Sequence, residues 1–367
     1  MKVLHLIDNF DFTDGCARAV FLLMREQKRR GPEVSIILGR GDATSLLQKE
    51  NISFKIIPSI HHQNRSISQF IKGMFEIQKQ IQLFRPDIVH SHHYYASNQF
   101  RKYPRFHRPA HVHTVHQNID EGLLPLYRGD KVISVSESTQ NRVLQKHPHL
   151  KNKSLVILNG IEFLDDYQSK KYNSIIGGVD NEGKVFTVLF VGRMVEAKGI
   201  FDHLEAIQDI QPKKMCRCIF VGDGVDRKKT EEYATKNNLN VFFAGHQEIV
   251  QPYYSLADVV VVPSHAFEGQ PMVLLEAGLL QKPVIASNVD GIPELITHKK
   301  TGLLIEPKNV RQLSEAILAL YGDPLLRHTL GENLFLKVKN DRNVKTMTDE
   351  VEQVYLSILK AKQNRVL

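Results

Sequence analysis

The chain has 367 residues, 42% hydrophobic and 24% charged, with a formal net charge of +8. These are globular values, the length suits two ordinary domains, and the absence of any run of about 18 apolar residues excludes a membrane-spanning helix. The N-terminus, Met1-Lys2-Val3-Leu4-His5-Leu6-Ile7-Asp8, turns acidic too soon for a signal peptide, and three cysteines without Cys-x-x-Cys spacing make a poor disulfide framework, so a reduced, cytoplasmic setting is expected.

In chain order, short apolar runs alternate with amphipathic stretches. Strands are predicted at Val3–Ile7, Val34–Leu38, Phe54–Ile57, Asp87–His90, His111–Val115, Lys131–Val135 and Leu155–Leu158. Helices are clearest at Ala17–Arg30, Ser66–Phe84 and Glu137–Lys146. This alternation predicts a parallel, doubly wound α/β sheet. Residues 162–184 are polar and contain Gly177-Gly178 and Asp180-Asn181-Glu182-Gly183, which marks a surface linker. The pattern then restarts, with strands predicted at Val185–Val191, Cys216–Val221, Asn240–Ala244, Asp258–Val262, Val284–Ala286 and Leu303–Ile305. Helices follow at Gly199–Ile210, Lys228–Asn237, Gln270–Leu280 and Val310–Tyr321. The expected organisation is an N-terminal domain over 1–165 and a C-terminal domain over 166–345, with the last helix, about 346–367, open to either domain, packing back on the first among the alternatives. Cys216 and Cys218 share one predicted strand and are expected to point to opposite faces as core thiols, not metal ligands.

The charge is unevenly placed. Residues 1–165 carry 23 Lys+Arg against 15 Asp+Glu, and residues 166–367 carry 25 of each, so the whole excess lies in the first half. There Lys72, Lys79, Arg85, Arg101, Lys102, Arg105 and Arg108 alternate with Phe70, Phe75, Tyr94, Tyr95, Phe100, Tyr103 and Phe106. Cations mixed with aromatics suit the headgroup layer of an anionic membrane. No basic recognition helix or RNP-type motif occurs, so nucleic acid is not an expected partner. Of 17 histidines, 12 lie in residues 1–165, and His90, His92, His93, His111, His113 and His116 gather at two strand ends. They are expected to line an acceptor cleft or a basic docking face, with no metal bound.

Ligands of open parallel sheets bind beyond the C-terminal ends of strands. After Val185–Val191 comes Gly192-Arg193-Met194-Val195-Glu196-Ala197-Lys198-Gly199, two cations around a helix start. Helix N-termini attract anions, Arg can fork two oxygens and Lys adds a point charge, so the pair suits a diphosphate. After Cys216–Val221 comes Gly222-Asp223-Gly224, but Arg227 stands where a dinucleotide fingerprint needs its third glycine, which argues against a nicotinamide or flavin enzyme. After Asp258–Val262 comes Glu268-Gly269-Gln270-Pro271-Met272, then Glu276 eight residues beyond Glu268. Pro271 suits the first turn of a helix and Gly269 a close backbone approach. One carboxylate at the helix mouth and one deeper can hold two hydroxyl-bearing parts of one ligand.

Taken together, these residues resemble glycosyltransferase family 4, the retaining enzymes of GT-B fold, over nearly the whole chain. The resemblance is carried by Gly192-Arg193-x4-Lys198-Gly199, Val221-Gly222-Asp223-Gly224, Tyr254-Ser255-x-Ala257-Asp258, Pro263-Ser264, Glu268-Gly269-x-Pro271-x4-Glu276-Ala277, Gly291-Ile292-Pro293-Glu294 and Thr301-Gly302-Leu303-Leu304. It implies two facing Rossmann-like domains with a donor cleft between them. It also implies that Arg193 and Lys198 bind the donor diphosphate, that Glu268 holds sugar hydroxyls and that Glu276 holds the ribose. Backbone amides around Gly269, Gln270 and Met272 would meet a phosphate, and no metal or other cofactor is required.

The first half is similar more loosely. Asp14-Gly15-Cys16-Ala17-Arg18 stands where the family has Gly-Gly-Ala-Glu-Arg, leaving Gly15 for close approach to donor or acceptor. His113-Thr114-Val115-His116 is similar to the strand-end Thr-x-His block, which puts His116 near the reacting carbon. Gln270 replaces the usual bulky apolar residue, so the base and sugar stay open between UDP and GDP types. The expected activity is retaining transfer to a carbohydrate or lipid-linked acceptor at the inner face of the cell membrane. The rivals are a non-catalytic nucleotide-sugar or polysaccharide-binding protein and a nucleotide-sugar epimerase on the same fold.

Overall fold

A computed structural model describes residues 1–11, 14–64, 66–100, 108–116, 129–163, 185–211, 216–266 and 268–364. The chain divides into one unit formed by Met1–Glu162 with Val344–Leu367 and another formed by Phe163–Asn343. Most of the expected linker at 162–184 lies outside the described residues.

The first unit is built on seven parallel strands: β1 (Lys2–Asn9), β2 (Glu33–Arg40), β3 (Ser53–Ile56), β4 (Ile88–Ser91), β5 (Ala110–Val115), β6 (Lys131–Ser134) and β7 (Ser154–Val156). Their order is β3-β2-β1-β4-β5-β6-β7. A parallel sheet is covered by helices on both faces, so its strands are apolar on both sides. In β1, Leu4 and Leu6 face a cluster with Ile77, Ile81 and Phe100, while Ile7 faces Val20, Phe21 and Met24 of the helix Gly15–Arg29. The last helix, Val344–Gln363, belongs to this unit. Arg30 bonds Asp349 at 2.5 Å, the Gly160 N–H points at the Met347 sulfur at 3.1 Å, and Tyr355 is fully buried.

The second unit has six parallel strands: β8 (Phe186–Val191), β9 (Cys216–Val221), β10 (Val241–Gly245), β11 (Val259–Val262), β12 (Val284–Ser287) and β13 (Leu303–Ile305), in the order β10-β9-β8-β11-β12-β13. The chain reverses its direction of strand addition between β8 and β11, which opens a crevice at their C-terminal ends. Cys216 and Cys218 do not point apart, as expected, but pack in the same core cluster. Side chains two residues apart on a strand share a face.

Four helices were not expected: Thr44–Lys49, Tyr94–Phe100, Gln251–Leu256 and Pro324–Asp341. The longest of these starts on the Asp323 carboxylate, which accepts from Leu326 N at 2.9 Å, and buries Leu330, Leu334 and Val338 along one face.

Candidate functional site

β8 ends at Val191, and Gly192 turns the chain toward Arg193. The turn after β9 lies directly on it. Gly222 has φ +136°, and a Cβ there would stand 2.0 Å from the Gly192 carbonyl oxygen. A Cβ on Gly224 would stand 2.3 Å from the Met194 carbonyl oxygen, and Met194 N donates to Asp223 O at 2.8 Å. What the structure shows for Gly222 and Gly224 is therefore the packing of one strand-end turn on another. Arg193 is exposed and has no side-chain partner among the described residues. Lys198 closes the 3₁₀ turn Glu196–Lys198, and Gly199 then opens the helix Ile200–Ile210.

β11 ends beside β8, and the loop after it brings Glu268 to Lys198. Glu268 is 5% exposed. Its Oε1 accepts from Lys198 Nζ at 2.5 Å and from Ser264 Oγ at 2.5 Å. Its backbone N–H donates to Asp290 Oδ2 at 3.1 Å, and its carbonyl accepts from Gly291 N at 3.0 Å. The second carboxylate oxygen, Oε2, has no partner among the described residues. An ionised carboxylate has about four lone-pair sites, so half of this one is left to accept hydroxyls.

Gly269, Gln270 and Met272 are buried, and the helix Met272–Leu279 begins one residue later than Pro271, which caps it. No side chain caps this helix, so its first amides carry the partial positive charge that attracts an anion. Glu276 is the fifth residue of that helix and only 6% exposed. Its Oε2 accepts from the buried Tyr254 hydroxyl at 2.8 Å, which excludes a solvated helix face.

Gly15 and His116 belong to the other unit. Gly15 is the exposed first residue of its helix, and the Asp14 carboxylate before it accepts from Cys16 N at 2.9 Å. That helix start already holds an anion, which disfavours a phosphate at the same amide. His116 follows β5, and its Nε2 is 3.1 Å from His92 Nδ1. Burial pushes its pKa down to about 4.

The histidines do not form a basic docking face. His90, His92, His111 and His113 are buried, and desolvation depresses His90, His92 and His113. Ser91 Oγ lies between His111 Nε2 at 2.9 Å and His113 Nδ1 at 2.8 Å. Two groups bring potential metal ligands within 4.8 Å of one another: His5, His90 and His92, and Asp8, His61 and His62. In the first group all six ring nitrogens already take part in hydrogen bonds. In the second, Asp8 pairs with His62, and His93 Nδ1 is 3.4 Å away.

The basic, aromatic region also differs from expectation. Tyr95 and Phe100 are core residues, 8% and 1% exposed, and Arg101, Lys102, Tyr103, Arg105 and Phe106 lie outside the described residues. Instead the helix Ile67–Phe84 exposes Ile67, Ile71 and Phe75 at intervals of four, 83%, 45% and 60% exposed, with Lys72 and Lys79 also exposed on this helix. Three functional candidates were not singled out in the sequence: Ser264 and Tyr254, quoted only as parts of a motif, and Asp290. Ser264 at four residues before Glu268 was the one available signal.

Residues 175–335 match the family described as glycosyl transferases group 1, and residues 13–163 match glycosyltransferase family 4. An uncharacterized glycosyltransferase of Methanocaldococcus jannaschii is 36% identical over 207 residues, 56% of this chain and 53% of that protein. The capsular polysaccharide biosynthesis glycosyltransferase CapM of Staphylococcus aureus is 27% identical over 256 residues, 66% of this chain and 65% of that protein. The chain thus spans between about half and two thirds of the length of these two curated relatives. Anabaena HepE, solved in complex with UDP-glucose, has a TM-score of 0.82 at 20% identity, covering 97% of this chain and 100% of its own. The two parallel sheets and this likeness define a GT-B fold. The chain belongs to glycosyltransferase family 4.

Proposed function

We propose that the protein is a retaining glycosyltransferase that moves a sugar from a UDP- or GDP-type nucleotide-sugar to an acceptor hydroxyl during assembly of a cell-envelope polysaccharide or glycolipid. The observation that carries this reading is the buried Glu268 carboxylate, with Oε1 held by Lys198 and Ser264 and Oε2 without a partner among the described residues. Glu268 accepts sugar hydroxyls at Oε2. Lys198 spends one N–H on Glu268 and keeps two for the diphosphate, while the unpartnered Arg193 supplies a planar fork. The uncapped amides at Met272 add partial positive charge, with Gly269 and Gln270 lining the approach. Glu276, steadied by Tyr254, takes the ribose hydroxyls.

Charge grows on the diphosphate as the glycosidic C–O bond breaks. In this reading Arg193 and Lys198 meet that charge and fill the role that a divalent cation takes elsewhere. The acceptor oxygen bonds to the same carbon from the same face, and its proton passes to the departing phosphate oxygen. The family resemblance gives His116 a part near the reacting carbon. A trapped covalent sugar–enzyme adduct would contradict this front-face route. The exposed Ile67, Ile71 and Phe75 with Lys72 and Lys79 support peripheral contact with an anionic membrane, and the name of CapM supports a polysaccharide product.

A thermal-shift panel of nucleoside diphosphates and their sugars tests the reading. UDP or GDP is expected to raise the melting temperature of the wild type, and Lys198→Ala is expected to abolish the shift. No shift with any nucleotide would refute the reading. Slow donor hydrolysis without acceptor separates an enzyme from a mere binding protein.

A further inference from the structure

A chain of buried hydrogen bonds runs through the first unit and ends at His116. Gln27 Oε1 lies 3.0 Å from His5 Nε2, His5 Nδ1 lies 2.9 Å from His92 Nε2, and His92 Nδ1 lies 3.1 Å from His116 Nε2. A branch leaves the same glutamine: its Nε2 donates to Tyr355 Oη at 3.3 Å, Tyr355 Oη meets His90 Nδ1 at 2.6 Å, and His90 Nε2 meets Thr114 Oγ1 at 2.7 Å. His5, Gln27, His90 and Tyr355 are fully buried, and His92 is 4% exposed. The members come from β1, the helix Gly15–Arg29, the ends of β4 and β5, and the final helix.

With the Gln27 amide oriented toward His5 through its oxygen, proton counting sets the polarity of the chain. A neutral imidazole has one N–H and one lone pair. Burial depresses His5 and His116 to about 4, and His90 and His92 well below their usual value, so each ring is neutral near pH 7. The Gln27 oxygen can only accept, so His5 carries its proton on Nε2 and offers a lone pair at Nδ1. His92 must then donate from Nε2, and His116 must donate from its own Nε2 to His92 Nδ1. The remaining atom, His116 Nδ1, is buried with no hydrogen-bond partner among the described residues and holds a lone pair. Turning the Gln27 amide over would reverse every member and place a proton on that nitrogen. In the observed orientation the Gln27 amide donates to Tyr355 Oη, which also meets His90 Nδ1. The His92 and His116 rings line a small cavity with Thr114, Asn159, Ala19 and Val20.

We infer that Gln27, His5, His92 and Tyr355 are positioning residues that hold His116 in the Nε2–H tautomer, with Nδ1 presented as an acceptor to a hydroxyl of the bound substrate. The hydroxyl part rests on the function proposed above; the tautomer does not. Long-range nitrogen-15 imidazole spectra of the full chain read it directly, with His116 signals assigned by their loss in His116→Asn. At neutral pH the expected pattern is a protonated Nε2 and an unprotonated Nδ1. Gln27→Leu and Tyr355→Phe, each checked for folding by its melting curve, are expected to shift His116 toward averaged tautomers and to lower turnover at least tenfold with the donor KM unchanged. A His116 that carries its proton on Nδ1, is an imidazolium at neutral pH, or keeps its tautomer in both variants would overturn the inference. A chain that shows the expected pattern but binds no nucleotide-sugar would refute the proposed function alone.

Discussion

Glu268 has a divided carboxylate: one oxygen is structural, the other available. Glu268→Gln keeps the shape but weakens the ionic contact to Lys198, so turnover should fall about a hundredfold or more, equivalent to about 2.7 kcal/mol of transition-state stabilisation. The melting temperature should change by only a few degrees, and steady-state kinetics beside a melting curve decides this. Gly222→Ala separates packing from binding. Its backbone sits at φ +136° and its Cβ would meet the Gly192 carbonyl, so denaturant titration should show a loss of about 2 kcal/mol or more before any ligand is added. Lys198 stood out in the sequence as a cation at a strand end and helix start, and Glu268 and Glu276 stood out mainly through the family resemblance. Their partners did not: Asp290 reaches Glu268 across 22 residues and Tyr254 reaches Glu276 across another 22, and only the crossover order of the sheet joins such positions.

At the scale of elements, the strands were legible almost throughout, since two-sided burial writes continuous apolar runs. Helices with weaker periodicity were lost, as at Pro324–Asp341, where polar residues are interspersed among Leu330, Leu334 and Val338. The helix Ile67–Phe84 shows the opposite error. Its position was right, but aromatic content pointed to Tyr95 and Phe100, which the core absorbs, and away from the exposed Ile67 and Ile71. If this helix meets a membrane, Ile71→Glu with Phe75→Glu should cut binding to vesicles containing anionic lipid at least tenfold without lowering the melting temperature. Equal sedimentation of variant and wild type at low salt would remove the membrane from the account.

At the scale of the molecule, the buried histidines tie stability to pH. Their folded pKa values lie below the ordinary 6.5, at about 4 for His5, so between these limits the unfolded chain binds more protons than the folded one. Stability is therefore flat above pH 6.5 and falls as the pH drops toward 4, by about 1.4 kcal/mol per pH unit for each such histidine. Denaturant titrations from pH 7.5 to about 4.5 should show this fall, steeper than one proton's worth because His90 and His92 are depressed as well. The clustering of histidines in the first half was visible in the sequence, but not its consequence, because Gln27 and Tyr355, separated by 328 residues, meet only when the final helix joins the first unit. The central claim is that Lys198 and Arg193 hold a nucleoside diphosphate beside Glu268. Calorimetric titration of UDP and GDP into the wild type and into Arg193→Ala with Lys198→Ala tests it most directly: the account predicts saturable binding of one nucleotide that weakens at least a hundredfold in the double variant, and equal affinity in both proteins, or no binding to the wild type, would contradict it.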